Sequence, residues 1–155
     1  MGTFNPGVEP ELEVAVHRSE LGLFVDGDLE RGISPKMAEA LAEGVPMALT
    51  FETEVAGRAG QSVTRVLSYL PLTRQWQVSR SGESPRTFAT RAEAERAWGF
   101  WNAIPAGAAP PGEFAVVVRA SLSFPGRPDW KADLVWKAPV VTWTKTYSRL
   151  SEIPF

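Results

Sequence analysis

The sequence predicts a mainly β fold, an antiparallel two-layer sandwich or curled sheet of about eight strands with two short helices. Three observations support this prediction. Apolar and polar residues alternate with a period of two, turn-rich segments follow at short intervals, and helix-capping patterns occur at two places. The chain has 155 residues, 44% of them hydrophobic, and is long enough to bury one core.

The alternation is clearest in four segments, residues 11–17, 47–55, 114–124 and 130–137. Each has one apolar and one polar face, as strands of antiparallel sheets do. The phases predict that six side chains are buried together: Leu49, Phe51, Val116, Val118, Leu134 and Trp136. Weaker strands, joined by hairpins, are expected at residues 20–30, 62–70, 74–80 and 86–89.

Two segments carry helix signals. The first has Ser34 as N-cap, Pro35 at the first helical position and Gly44 as a left-handed stop. The second opens with a capping box at residues 90–93 and places Ala94, Trp98 and Trp101 on one face. Both helices are expected to cap open ends of the sheet layers.

The domain organisation is predicted to be simple, with a flexible N-terminal segment at residues 1–10 and a single β-rich domain at residues 11–155. Residues 105–112 (PAGAAPPG) are interpreted as a stiff connector inside that domain. We expect a soluble chain, because it has neither a signal-peptide pattern at its start nor an apolar run of roughly 20 residues.

The search for catalytic chemistry predicts that the protein is not an enzyme and uses no cofactor. Cysteine is absent, and His17 is the single histidine, expected on the solvated face of the first strand. Asp26, Asp28 and Glu30 match the first ligands of a calcium loop, but the glycine and the final glutamate of that motif are missing. We interpret them as an acidic turn at a strand and expect no metal. No phosphate-binding glycine motif indicates a nucleotide.

Charge is distributed unevenly along the chain. Residues 1–54 hold 11 of the 18 acidic residues, and seven arginines are spread over residues 58–96. The arginines are interpreted as unclustered, and with a pI near 5.5 they give no indication of nucleic-acid binding. Sheet faces of opposite charge are expected to attract one another in the fold, with steering of a partner as the alternative.

The segment after Pro139 is the candidate partner-binding site. Even positions from 142 to 148 are Thr or Ser, whereas the odd positions carry Trp143, Lys145, Tyr147 and Arg149. Proline cannot donate to a strand ladder, so the segment is expected to begin at a sheet edge, where another chain can pair. The alternative is that the two aromatic side chains cover the sheet while the cations extend past them to water.

Three stretches resemble the uncharacterised bacterial family known as domain of unknown function 4390: residues 40–46 (ALAEGVP), 67–78 (LSYLPLTRQWQV) and 88–94 (FATRAEA). The resemblance implies an exported, periplasmic or envelope-associated protein of proteobacterial type, often encoded near a nitrogen-regulation type sensor kinase. It implies no activity and no functional residues.

We therefore expect a non-enzymatic binding or protein-interaction module of the bacterial cell envelope, with another protein as partner. The alternative is a carrier or sensor of a small apolar ligand, which the six tryptophans and eight phenylalanines favour. A third and weaker alternative is a hydrolase whose site has no recognised motif.

Overall fold

A computed structural model describes residues 9–80, 83–127, 129–130, 136 and 140–155. These residues form nine strands and two α-helices, in the order β1 (Glu11–Ser19), β2 (Gly22–Glu30), α1 (Pro35–Ala42), β3 (Met47–Val55), β4 (Arg58–Leu70), β5 (Gln75–Arg80), β6 (Arg86–Phe88), α2 (Arg91–Gly99), β7 (Phe100–Gly107), β8 (Phe114–Ser123) and β9 (Val140–Tyr147). A 3-10 turn at Leu150–Glu152 follows β9.

The strands form two antiparallel sheets. The smaller has the order β1-β2-β7, and the larger has the order β6-β5-β4-β3-β8-β9. The predicted mainly β, antiparallel fold with two short helices is thus confirmed. The four weaker strands are also confirmed, since β2, β4, β5 and β6 lie where hairpin strands were expected.

The core lies between the two sheets. Leu49, Phe51, Val116, Val118 and Trp136 are all fully buried, as the strand phases predicted, and Leu134 lies outside the described residues. The Phe51 ring on the larger sheet stacks on Trp101 of the smaller one, with ring centroids 4.5 Å apart. This stack occupies space that a side chain at Gly27 would need, because a Cβ there would lie 2.4 Å from Phe51 Cε2.

Both helices begin at the predicted N-cap residues, although at α2 the Glu93 carboxylate accepts the Thr90 hydroxyl and the predicted capping box is not complete. The Ser34 hydroxyl accepts the Met37 N–H at 3.2 Å, and Gly44 follows the end of α1 with a φ of +93°. The Thr90 hydroxyl accepts the Glu93 N–H at 3.3 Å. Helix α2 packs on β4, β5 and β6 and so covers part of the inner face of the larger sheet.

Strand β7 corrects two predictions. Trp101 is buried on β7 rather than on α2, because the helix ends at Gly99. Pro105 and Ala106 also belong to β7 and not to a connector. The proline is tolerated because β7 is an edge strand of the smaller sheet, where one side of the backbone needs no ladder partner.

Two further predictions fall mainly on residues that the structure does not describe, namely the strand at 130–137 and the segment at 1–10. Of the predicted strand, Trp130 and Trp136 are described, and the Trp136 indole N–H donates to the Gly32 carbonyl at 2.8 Å. Among the described helices, none is long and apolar enough to cross a membrane.

Candidate functional site

Strand β9, which carries the candidate partner-binding residues, is an edge strand of the larger sheet. It pairs with β8 in a register that sets Trp143 opposite Val118 and Tyr147 opposite Phe114. Val118 and Phe114 are buried in the core, so the odd positions of β9 share the inward face of the sheet. The predicted edge position is therefore confirmed for the described strands.

The aromatic side chains of β9 pack against the core. Tyr147 is only 6% exposed and stacks on Phe114 with centroids 5.7 Å apart, while Trp143 is half-buried against the core. The Tyr147 side chain is therefore not exposed for contact with a partner. Lys145 is exposed on the same face, with its Nζ 5.1 Å from the Tyr147 ring centroid, so the cation extends past the aromatic ring to water.

Arg149 lies beyond the end of β9 and not on the strand face. Its backbone N–H donates to Glu152 Oε1 at 3.0 Å, and the same oxygen accepts the Ser148 N–H at 2.6 Å. The structure thus brings Trp143, Lys145 and Tyr147 together and places Arg149 in the turn that follows.

His17 lies on the surface of the smaller sheet, as predicted, and contacts Asp26 of the neighbouring strand. Its Nε2 is 2.8 Å from Asp26 Oδ2, and the His17 side chain is 40% exposed. Asp26 Oδ1 accepts the Ala103 N–H at 2.7 Å, at a β-bulge where Asn102 and Ala103 of β7 lie opposite one residue of β2. The carboxylate therefore joins all three strands of this sheet, and the pair has a structural explanation.

The remaining carboxylates of β2 lie within the strand, so the predicted acidic turn is wrong. The register sets Glu13 opposite Asp28 and Glu11 opposite Glu30. Glu13, Asp28 and Glu30 offer carboxylate oxygens that lie within 4.8 Å of one another on the outer face of the smaller sheet. Glu11 pairs with Arg31 of the same sheet end. These carboxylates therefore point mostly toward solvent on the outer face of the smaller sheet, and not toward the larger sheet.

Three of the arginines interpreted as unclustered converge. Arg65 of β4 lies opposite Arg80 of β5, and Arg86 of β6 lies opposite Val78. Because Val78 and Arg80 are two residues apart, all three arginine side chains share one face of the larger sheet. They line a cavity of about 360 Å³, with Glu83, Ser84 and Asn102 also at its wall. We call this the arginine pocket.

A second cavity, of about 330 Å³, lies between α1 and the end of the larger sheet. Met37 and Met47 form its inner wall, and Phe124 and Trp130 pack edge to face beside it with centroids 5.4 Å apart. The arrangement can accept an apolar group of modest size. We call this the methionine groove.

Two ionisable groups outside the arginine pocket have perturbed pKa values, Glu95 of α2 and Tyr147 of β9. Burial raises the pKa of Glu95, and the Arg91 guanidinium, 3.0 Å from its Oε1, opposes that rise. Burial and the nearby Glu152 carboxylate raise the pKa of Tyr147. Among the described contacts, neither group lies against a candidate nucleophile. Burial is the main cause of both raised pKa values.

The comparison with protein-family models matches residues 12–131 to one family, described as Domain of unknown function (DUF4390). No curated protein and no solved structure matches the chain. The match spans β1 to β8 and contains all three stretches that resemble the family, together with both cavities. The chain belongs to the DUF4390 family.

Proposed function

We propose that the protein is a non-enzymatic binding module of the bacterial cell envelope, and that it binds a partner protein by strand pairing along β9. The observation that carries the proposal is the position of β9. It is an eight-residue strand at the edge of the larger sheet, paired with β8 on one side, and no strand of the described residues is hydrogen-bonded to its other side. A strand in that position can accept a further strand through its backbone groups.

The side chains of β9 support such pairing. Thr142, Thr144 and Thr146 are exposed on the outer face, and threonine has a high preference for strands. Lys145 places a positive charge on the inward face of an edge strand. Such a charge opposes nonspecific pairing with the edges of other sheets. Pairing is therefore favoured for a partner strand that leaves room for this ammonium group.

The filled core also favours a surface function. Trp98, Trp101, Trp136 and Phe51 are all fully buried in the core. They occupy the volume that a carrier with an internal site would keep free for its ligand.

Site-specific photocrosslinking in bacterial cells that produce the protein tests this proposal. Benzoylphenylalanine at position 142 or 144 is expected to yield one discrete adduct in the envelope fraction. The same probe at Leu72, which is fully exposed in the β4–β5 turn, is the matched control and is expected to yield no such adduct.

The double variant Thr142→Asp, Thr144→Asp is expected to abolish the adduct formed from a probe at position 146 while the melting temperature stays close to that of the parent. An adduct of equal yield from position 72, or one that survives the double variant, would contradict pairing along β9. If the adduct joins two copies of this chain, the partner is a second copy, and sedimentation should show a dimer that the same double variant dissociates.

The methionine groove favours a second candidate function, binding of a small apolar ligand. Its volume of about 330 Å³ lies near the lower end for ligand sites, roughly 300–1,000 Å³. Ala40 lines the groove and is 7% exposed, so Ala40→Phe should fill it. Saturable binding of anilinonaphthalene sulfonate that Ala40→Phe abolishes, without loss of the folded state, would support this function. Equal binding of the dye by the parent and by the Ala40→Phe variant would contradict this function.

A further inference from the structure

The arginine pocket lies at the opposite edge of the larger sheet from β9. Strands β4, β5 and β6 extend their inner face beyond the smaller sheet, and the end of α2 covers only part of it. Ala97 and Phe100, at the junction of α2 and β7, form the wall that faces the arginines. The pocket is therefore built from five elements that the fold holds in place.

Arg65 is fixed in the base of this pocket. Its Nη1 donates to the Ala97 carbonyl at 2.7 Å and also to the Phe100 carbonyl, and the side chain lies 5.5 Å from the Trp101 ring. The residue is only 6% exposed. Its Nε is buried and has no hydrogen-bond partner among the described residues, although buried donors are nearly always paired.

The pocket has a surplus of positive charge. Among the residues that the structure describes, three guanidinium groups and one carboxylate line it. The carboxylate is that of Glu83, whose Oε2 lies 3.5 Å from Arg80 Nε and whose side chain is 58% exposed. Burial and the neighbouring Arg80 lower the pKa of Arg65 to about 10, so the group remains charged at neutral pH in a positive field. A bound anion would offset the repulsion among these cations.

We propose that the arginine pocket binds the phosphate group of a small ligand. Guanidinium groups donate paired hydrogen bonds that fit the oxygens of a phosphate, and a doubly charged anion matches the surplus of two positive charges. Ser84 and Asn102 add polar side chains at the wall. The volume of about 360 Å³ accommodates a small phosphate ester.

Calorimetric titration of the purified chain at constant ionic strength tests the proposal, with inorganic phosphate, glycerol phosphate and acetate as probes. Saturable binding of the two phosphates, and much weaker binding of acetate, is expected. Arg80→Gln and Arg86→Gln should each weaken phosphate binding by about tenfold, since each removes a charged hydrogen-bond donor. Glu83→Gln should strengthen it, because it removes the opposing carboxylate.

The control is Arg58→Gln, which removes an exposed arginine from the same strand as Arg65 but outside the pocket. It should leave the dissociation constant unchanged. Equal weakening by Arg58→Gln and Arg86→Gln would show a general charge effect and overturn the proposal, as would the absence of saturable binding.

Vesicles containing phosphatidylglycerol distinguish the source of the phosphate. Binding to vesicles that Arg86→Gln weakens identifies a lipid headgroup, whereas binding of glycerol phosphate alone identifies a soluble ester.

Discussion

The Phe51 ring of the larger sheet occupies the space that a side chain at Gly27 of the smaller sheet would fill. A Cβ at position 27 would lie 2.4 Å from Phe51 Cε2 and 2.7 Å from Cζ, distances that real side chains do not adopt. Phe51 has little freedom to move, because its ring is fully buried and stacks on Trp101. The missing side chain of one strand thus permits the aromatic stack that joins the sheets.

The variant Gly27→Ala is therefore expected to lower the free energy of unfolding by about 1–3 kcal/mol, the usual effect of overpacking a core. Urea denaturation followed by tryptophan fluorescence measures the change. Combining it with Phe51→Leu should give a smaller loss than the sum of the two single variants, because the shorter side chain makes room for the methyl group. Gly126→Ala is the control, since its Cβ would lie at an ordinary 3.5 Å from Pro46. Additive losses would contradict the steric explanation.

Phe51→Ala and Trp136→Ala are each expected to lower the free energy of unfolding by about 3–5 kcal/mol, because each removes a fully buried ring. Trp136→Ala also leaves the Gly32 carbonyl without the indole donor at 2.8 Å. Thermal unfolding followed by circular dichroism is the measurement. A melting temperature within a degree or two of the parent would show that the side chain in question does not support the core.

His17→Gln is expected to change the free energy of unfolding by less than about 1 kcal/mol, because the pair with Asp26 is partly exposed. Asp26→Ala should lower it further, since this substitution also removes the acceptor for the Ala103 N–H at 2.7 Å. Chemical denaturation of both variants measures the difference. If His17→Gln were the more damaging of the two, the assignment of Asp26 as the residue that joins the three strands would be wrong.

Tyr147 makes stability depend on alkaline pH. Its pKa is raised above the unfolded value of 10.0, first by burial and then by Glu152, so the folded state holds this proton more tightly than the unfolded state. The resulting stabilisation is complete below about pH 10 and is lost as the pH rises through the folded pKa. Tyr147→Phe should therefore show a smaller fall in melting temperature above about pH 10 than the parent. Identical pH profiles would contradict burial of the phenol.

Much of the fold could be predicted because local patterns and burial coincide. Strand β8 alternates along its length and β3 alternates from Leu49 to Val55, so their inward residues can be predicted from the sequence. Strand β7 could not be predicted from alternation, because the bulge at Asn102 and Ala103 shifts the phase between Trp101 and Ile104. Trp98 and Trp101 are also separated by a helical spacing, which led to the wrong prediction that Trp101 lies on the helix.

The candidate sites could be predicted only in part from the sequence. The edge position of β9 followed from Pro139, but the burial of Tyr147 depends on its contact with Phe114 across the sheet. For the arginine pocket a signal existed, since a hairpin that pairs Leu70 with Gln75 also sets Arg65 opposite Arg80. The third arginine and the wall from α2 depend on tertiary packing, which no local pattern encodes.

The pairing of β3 with β8 also fixes the order in which the molecule can fold during synthesis. Ala48 pairs with Ser123 and Val55 pairs with Val116, so the central ladder joins residues that leave the ribosome far apart in time. The hairpins β1–β2, β3–β4 and β4–β5 can form early, but the larger sheet cannot be completed until β8 has emerged. A nascent chain therefore remains incompletely folded until β8 has been made.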